Sequence, residues 1–502
     1  MTKIALRAYL ALIFFPPLLA LLAAFGAHLF SAKGLDFFFV KSLLNTLFLA
    51  FASSFLCLLI SFPLALLLAK VPLPGAKLGA VILTAPLLFL PYQTALAWSF
   101  ILPEPLLGLL FSPVGVVFVF TLSFFPLLFW PLYLAFLSIP AEAEESALLL
   151  YPPGKVLWKI TLPYVKPYLL GGLGLCLFFC FAEIGVPVYL GVPVIGSEIL
   201  TRFAAFYDIA GALRSSLPLA LLGLLFFLAE RPFLSRWEFP VRWETTRGLK
   251  FSSPYLLILT VSFLVFILFL AVFFPLFLLF HKALSADWQK VLLQVRGPLW
   301  RSLLYGLVAS LGSAFLIFWA QPFLPSREKG LWEALGLLVF FLPPVALAVG
   351  LIFFWGHFPL VYASPLLLLL GLWGRFTFLP QRLLAEAWRR FDKKCLEAAY
   401  LTGRPFFTIL LKIVFPPFRP WIGLAIVLFF IFAVNEMALS SLLYPPGGAP
   451  LAVAIYTLSV NTPLSFAAAL CLLNTLMILL TISVLFFFFR PRSYERRNSR
   501  HP

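Results

Sequence analysis

The chain has 502 residues, of which 63% are hydrophobic and only 11% are charged. Soluble domains carry roughly 25% charged residues, so this composition excludes an ordinary soluble protein and indicates an integral membrane protein. The five cysteines form neither a disulfide framework nor a metal-ligand spacing. The sequence also lacks a GxxxxGK[ST] phosphate-binding loop, so we expect the chain itself to bind no cofactor.

Apolar runs along the chain predict twelve membrane-spanning helices, because roughly 20 apolar residues suffice to cross the hydrocarbon core. The first run resembles a signal peptide, but it contains Pro16-Pro17 and lacks a clear cleavage site, so we expect it to be retained. The predicted spans are 6–30, 42–69, 78–102, 114–138, 168–190, 212–229, 254–280, 302–321, 332–356, 361–385, 420–443 and 467–489.

The basic residues favour one orientation of these spans. With the N-terminus in the cytoplasm, 27 of the 36 Lys and Arg residues fall on cytoplasmic segments and 8 on outside segments. Cytoplasmic loops of membrane proteins carry such an excess. We therefore expect both termini in the cytoplasm, and the net charge of +17 then requires no nucleic-acid partner.

The sequence also repeats itself. A stretch beginning at Ser42 echoes one beginning at Ser302, at an offset of 260. Four residues recur at offsets of 252 or 253, namely Glu145, Pro163, Pro167 and Glu183 as Glu397, Pro416, Pro420 and Glu436. This predicts two homologous six-helix halves, 1–230 and 254–490, joined by a cytoplasmic linker 231–253 and followed by a basic tail 491–502. Parallel repeats of this kind enclose a central pathway.

A loop at 390–419 interrupts the apolar runs with charged and small residues. Its centre reads EAAYLTGRPFFTILLKIVFP, from Glu397 to Pro416. The pattern indicates a short helix, a break at Gly403 and a second helix from about Pro405. Glycine reaches backbone angles closed to other residues, so two short helices can meet there at a sharp angle.

This stretch resembles the EAA loop of binding-protein-dependent ABC importer permeases. The family pattern places Gly, Ile, Leu and Pro at fixed distances after Glu-Ala-Ala, and here Phe415 replaces the Leu. The matching residues are Glu397, Ala398, Ala399, Gly403, Ile413 and Pro416.

An imperfect copy of the pattern occupies 142–166. Tyr151 stands where the family has its Gly, and Gly154 follows Pro152-Pro153 three positions later. Pro-Pro-Gly can still form a turn, so we expect a helix–turn–helix with an altered bend, and whether it docks normally stays open. The matching residues are Glu145, Ala147, Ile160, Leu162 and Pro163.

Segments 374–380 and 435–458 look like parts of fused ferric-iron and thiamine permeases. The resemblance implies an all-α polytopic membrane protein with the type I ABC importer permease fold, in a bacterial inner membrane. It implies two partners, a cytoplasmic ABC ATPase dimer that binds ATP and a periplasmic or lipid-anchored solute-binding protein. The chain itself would be no enzyme.

Ferric iron is the first expectation for the solute, with thiamine and phosphonate- or polyamine-like solutes as alternatives. A secondary transporter is a competing class, but it gives no reason for two EAA loops. A membrane enzyme would need a cluster of His, Asp or Cys, and the four His residues do not cluster.

Three charged residues inside the spans are candidates for the pathway. Glu183 and Glu436 each lie 16 residues beyond a proline, which corresponds to roughly 24 Å along a helix. A carboxylate at that depth needs a polar cavity or a partner, unless each helix ends early and the carboxylate reaches interfacial water. Arg375 either faces the pathway or extends to the inner surface. Gln93, Asn435 and Tyr92 are weaker candidates.

Overall fold

The computed structural model describes residues 2–28, 37–234, 253–401, 403 and 405–489. Within these ranges the chain forms helices and no strand, so it is an all-α polytopic membrane protein, as predicted. Most of the predicted linker 231–253 and all of the predicted tail 491–502 lie outside the described residues.

The described residues up to Leu234 form twelve helices, together with a 3-10 turn at Ala85–Leu88 and a π-helical turn at Leu157–Thr161. They are α1 (Thr2–His28), α2 (Phe37–Lys70), α3 (Ala76–Ile82), α4 (Pro91–Ser99), α5 (Glu104–Leu110), α6 (Pro113–Ser138), α7 (Ala141–Leu148), α8 (Pro153–Val156), α9 (Leu162–Ala182), α10 (Gly185–Tyr189), α11 (Ile195–Ala204) and α12 (Ile209–Leu234).

The described residues from Ser253 onward form fourteen helices, with π-helical turns at Phe269–Phe273 and Leu410–Val414 and a 3-10 turn at Gln321–Phe323. They are α13 (Pro254–Leu268), α14 (Phe274–Ala283), α15 (Trp288–Ala320), α16 (Ser326–Phe340), α17 (Pro344–Trp355), α18 (Pro359–Tyr362), α19 (Pro365–Phe376), α20 (Phe378–Arg390), α21 (Lys393–Leu401), α22 (Phe406–Ile409), α23 (Phe415–Val434), α24 (Ser440–Leu443), α25 (Leu451–Asn461) and α26 (Leu464–Phe489).

The predicted number of twelve spans is not confirmed. In the described ranges, eight helical stretches are long and apolar enough to cross a membrane, and two bent pairs raise the count to ten. The bends of 83° and 108° precede Pro91 and Pro344, where proline disfavours a helical conformation of the residue before it. The predicted span 361–385 is divided, because α19 ends at Phe376 and a separate helix follows.

A helix near the start of each part of the chain contacts the bent pair of the other part. Helix α1 packs on α17, where a Cβ on Gly350 would lie 3.3 Å from Pro17, and helix α14 packs on α4. Trp98 of α4 and Phe274 of α14 have ring centroids 5.0 Å apart. Each part of the chain therefore packs one of its helices against the bent helix pair of the other part.

Side-chain contacts between the long helices repeat with a constant spacing. Ser61 donates to the carbonyl of Phe125 at 2.8 Å between α2 and α6, and Ser313 and Thr377 share a hydrogen bond of 3.1 Å. Each pair is separated by 64 residues, and the second pair lies 252 residues after the first. These contacts therefore repeat with the same offset of 252 residues as Glu145 and Glu397. This offset is eight residues shorter than the 260 between Ser42 and Ser302.

Candidate functional site

The loop at 390–419, the second of the two loops, has the predicted helix–glycine–helix form. Helix α21 carries Glu397 and Ala398 on its exposed side, while Ala399 is buried. Gly403 then has φ of +68°, in the left-handed region that favours glycine, and α22 follows. Among the described residues, no atom lies within 4 Å of the place where a Cβ would stand, so backbone conformation rather than space accounts for the glycine.

The rest of the second motif leads back to the membrane. Ile413 lies half-buried in the π-helical turn and Pro416 is exposed at the start of α23. The extra residue of a π turn rotates the following helix relative to the loop. The motif is thus joined to α23 without a break in the helical backbone.

The first loop bends without a left-handed glycine. Helix α7 carries the exposed Glu145 and the buried Ala147, and the chain then turns between α7 and α8. Gly154 lies inside α8 and Tyr151 has no positive φ. The turn therefore does not use the glycine that the sequence offered for it.

The exposed surface of this loop is strongly apolar. Leu149 is 88% exposed, and Leu150 and Trp158 are also exposed, while Ile160 is half-buried and Pro163 is exposed. On soluble proteins, contiguous exposed apolar patches mark sites of contact with another protein or with a membrane. The first loop thus offers an apolar surface beside Glu145.

A buried ion pair that the sequence did not suggest fastens the first loop to the membrane helices. The Nζ atom of Lys70, at the end of α2, lies 2.8 and 2.7 Å from the two carboxylate oxygens of Glu144 in α7. Their side chains are 3% and 0% exposed, and Thr161 donates to the same carboxylate at 3.1 Å. The pair joins residues 74 apart, so no short spacing could have predicted it.

The second loop cannot contain the same ion pair. The residues 252 positions after Lys70 and Glu144 are Pro322 and Leu396, which carry no charge. The two loops therefore differ in their attachment as well as in their turns.

Both candidate glutamates end a membrane helix. Helix α9 ends at Ala182 and α23 at Val434, so the predicted spans 168–190 and 420–443 are too long at this end. An Oε1 oxygen of Glu183 accepts from the amide of Gly185 at 2.7 Å, and that of Glu436 accepts from Leu439 at 3.1 Å. Such local bonds to the backbone compete with continuation of the helix.

Arg375 does not extend to a membrane surface. Its Nε atom lies 2.8 Å from Oε2 of Glu436, and the two side chains are only 3% and 9% exposed. Its guanidinium carbon lies 5.6 Å from the ring centroid of Phe178 in α9. Arg375 thus reaches across to the other predicted half, and aromatic faces attract such a cation.

Glu183, Arg375 and Glu436 line one small cavity. Its volume is about 50 Å³, and its remaining walls are mostly phenylalanine and proline side chains. A water molecule needs at least about 10–15 Å³ of such space, so the cavity has room for a few waters and no larger solute. The arrangement combines one guanidinium with two carboxylates, and Ser123 and Asn435 are the other polar residues of the lining.

The weaker candidates join neighbouring helices around this cavity. Asn435 donates to the carbonyls of Leu87 and Leu88 at 3.3 Å, and Gln93 donates to Thr475 at 2.9 Å. Tyr92 shares a hydrogen bond of 2.5 Å with Ser459. All of these bonds connect residues before the linker with residues after it.

The fold and the sites together define a polytopic helical membrane protein with two loops of short helices, at 142–166 and 390–419, and a charged internal cavity. No family model matches the chain. It is similar to proteins of Salmonella choleraesuis and Salmonella typhimurium, at 29% identity over 170 residues, and of Salmonella typhi, at 28%. These relatives carry the provisional name 2-aminoethylphosphonate transport system permease protein PhnU.

The similarity is partial on both sides. The aligned region covers 30% of this chain and 59% of the relatives' own length. It supports a relation to transport permeases, and it does not extend to a ferric-iron or thiamine type or to the fused arrangement of two halves.

Proposed function

We propose that this chain is the transmembrane permease subunit of an ATP-driven ABC importer. The observation that carries the proposal is the exposed Glu397 stretch on a helix–glycine–helix loop, in a chain whose relatives are named as transport permeases. The near copy of this loop, 252 residues earlier in the chain, supports a second docking position for an ATPase. Because the chain has no phosphate-binding loop, ATP hydrolysis would belong to a separate subunit.

The proposed partners follow from these two loops. A dimer of cytoplasmic ABC ATPases would contact the exposed faces of α7 and α21, one ATPase on each loop. A periplasmic or lipid-anchored binding protein would deliver the solute from the opposite side. In this arrangement the chain lies in a bacterial inner membrane with both termini in the cytoplasm.

The proposed solute is a small phosphonate. The relatives' name favours this alternative over the ferric iron expected from the fused-permease resemblance, and nothing in the comparisons favours thiamine. A cavity with one guanidinium and two carboxylates also suits an organic zwitterion, because each charged end finds an opposite charge.

Uptake into proteoliposomes tests the proposal against a secondary transporter. The permease is reconstituted with a partner ATPase and a binding protein, and uptake of labelled 2-aminoethylphosphonate is followed with and without ATP. We expect uptake only when ATP and the active ATPase are both present. Equal uptake without the ATPase, driven by an ion gradient, would assign the chain to the secondary transporters instead.

A further inference from the structure

The internal cavity lies where the two repeats meet. Ten of its fourteen lining residues form five pairs that are separated by 252 or 253 residues. Three of these pairs are Ser123 with Arg375, Phe179 with Phe432, and Glu183 with Glu436. Positions that are equivalent in two repeats come together only near the axis that relates the repeats.

Phe179 and Phe432 show this relation directly. Their ring centroids lie 5.1 Å apart, so two equivalent residues touch each other. Glu183 and Glu436 follow four residues later on the same segments, farther from the loops 142–166 and 390–419. The rings of Phe179 and Phe432 therefore form an aromatic layer on the axis, on the side of the two loops. The charged layer of Glu183 and Glu436 lies next to it.

The charged layer is asymmetric. Arg375 faces the cavity from one repeat, and its equivalent from the other repeat is Ser123. The Ser123 side chain is 3% exposed, and its hydroxyl has no hydrogen-bond partner among the described residues. A buried hydroxyl without a partner is costly, and at a cavity wall it is available to a ligand.

We propose that this cavity is a transit site for a zwitterionic solute with one oxyanion and one ammonium group. Arg375 exchanges the Glu436 carboxylate for the oxyanion, with the Ser123 hydroxyl as a further donor. Glu183 and the released Glu436 then accept hydrogen bonds from the ammonium group. This inference rests on the proposed importer function.

The chemistry of the three groups supports this assignment. A guanidinium binds phosphonate or carboxylate oxygens through two parallel N–H bonds, which a lysine ammonium cannot reproduce. A zwitterion whose oxyanion carries a single charge adds no net charge to the site, so it avoids the cost of a further uncompensated charge inside the membrane. Leaving one partner of a buried ion pair without an opposite charge is strongly destabilising. The exchange avoids this, because the oxyanion replaces the Glu436 carboxylate on Arg375 while the ammonium group pairs with the released carboxylate.

The size of the cavity sets a condition on this exchange. Its 50 Å³ holds a few waters, so the site must widen before the solute enters. Separation of Phe179 from Phe432 would open it toward the loops. Alternating movement of two repeats around a fixed site produces such a change.

Two phosphonates and five variants test the assignment in the reconstituted transporter. Ethylphosphonate has the same oxyanion as 2-aminoethylphosphonate but lacks the ammonium group. We expect Arg375→Gln to lower uptake of both solutes about tenfold or more, and Ser123→Ala to lower both about threefold, since tenfold corresponds to the ~1.4 kcal/mol of a single good interaction. Glu183→Gln should lower uptake of 2-aminoethylphosphonate about tenfold and leave ethylphosphonate within about twofold.

Glu328→Gln is the matched control, because it breaks the 2.6 Å ion pair with Arg7 away from the cavity and should leave both uptakes unchanged. If Arg375→Gln fails to insert, Arg375→Lys keeps the charge without the planar fork and should reduce uptake of both solutes at normal expression.

The outcomes separate the two levels of the proposal. If the wild-type transporter takes up neither phosphonate, the proposed solute class is overturned and this assignment with it. If the wild type takes up 2-aminoethylphosphonate and the Arg375 and Glu183 variants match it, only the transit site is overturned. Equal loss of both solutes in Glu183→Gln would overturn the ammonium assignment.

Discussion

Replacing Gly403 with alanine isolates the effect of one backbone angle in the second loop. The residue has φ of +68°, and a Cβ there would meet no atom within 4 Å in the part of the chain that the structure describes. The added methyl group therefore causes no clash, and the cost is that of holding an L-residue in a left-handed conformation, about 1–2 kcal/mol. This reduces the population of the bent loop by roughly 5–30-fold. Valine should cost more, because its branched Cβ restricts the backbone further.

Two further variants sharpen the comparison. Asparagine tolerates the left-handed region, so Gly403→Asn should retain much of the wild-type function. Gly154 also has open space around its Cβ position but lies inside α8, so Gly154→Ala should be neutral or slightly stabilising. The pair of alanine variants thus compares two loop glycines that differ in conformation and not in crowding.

Binding of the partner ATPase to the detergent-solubilised permease is the direct assay, with ATP-driven uptake as the second. We expect weakened ATPase binding for Gly403→Ala, a larger loss for Gly403→Val, and wild-type binding for Gly154→Ala, all at equal expression in the membrane. Normal binding by Gly403→Val would show that the bend is not needed for docking. Equal losses in the two alanine variants would refute the reasoning from backbone angle.

Three other predictions concern the anchored loop, the two docking positions and the cavity. Lys70→Met should lower stability by about 3–5 kcal/mol, because it leaves a buried carboxylate uncompensated, and adding Glu144→Leu should restore most of the loss. Thermal aggregation in detergent measures both, and no recovery in the double variant would count against the pairing. Glu145→Lys should impair uptake less than Glu397→Lys, since the first loop departs from the family pattern; equal or greater impairment would mean that both loops dock alike. Glu183→Cys, in a background without native cysteines, should react with a small hydrophilic thiol reagent at a rate that changes with ATP, and no labelling in any state would remove this position from the pathway.

Features that depend on local sequence were predicted well. The break at Gly403 follows from the conformational freedom of glycine in its own segment. The long apolar runs likewise predicted helices where helices occur. The number of spans was less accessible. Pro91 and Pro344 bend two of the predicted spans, and the apolar stretches Arg7–Ala20 and Pro365–Phe376 are shorter than the predicted spans 6–30 and 361–385. The early ends of α9 and α23 depend on hydrogen bonds from nearby backbone amides to the carboxylates of Glu183 and Glu436. Such bonds compete with continuation of the helix, and the sequence alone does not show which of the two forms.

Contacts between distant segments could not be predicted in the same way. Lys70 and Glu144 meet only because α2 and α7 pack together, and Arg375 meets Glu436 across 61 positions of sequence. The sequence did mark Glu183, Glu436 and Arg375 as unusual charges within apolar runs, because desolvation makes each of them costly alone. It could not show that one cavity brings all three together, since that depends on how the helices assemble.

Ser123 and Arg375 occupy equivalent positions in the two repeats, so one repeat contributes a hydroxyl to the cavity and the other a guanidinium. Two identical subunits related by a twofold axis would contribute two guanidiniums to its centre or none, and two would repel each other in a medium with little screening. A single chain with two unequal repeats can contribute one. Covalent joining of the repeats therefore permits an odd number of charges at a centre that true symmetry would make even.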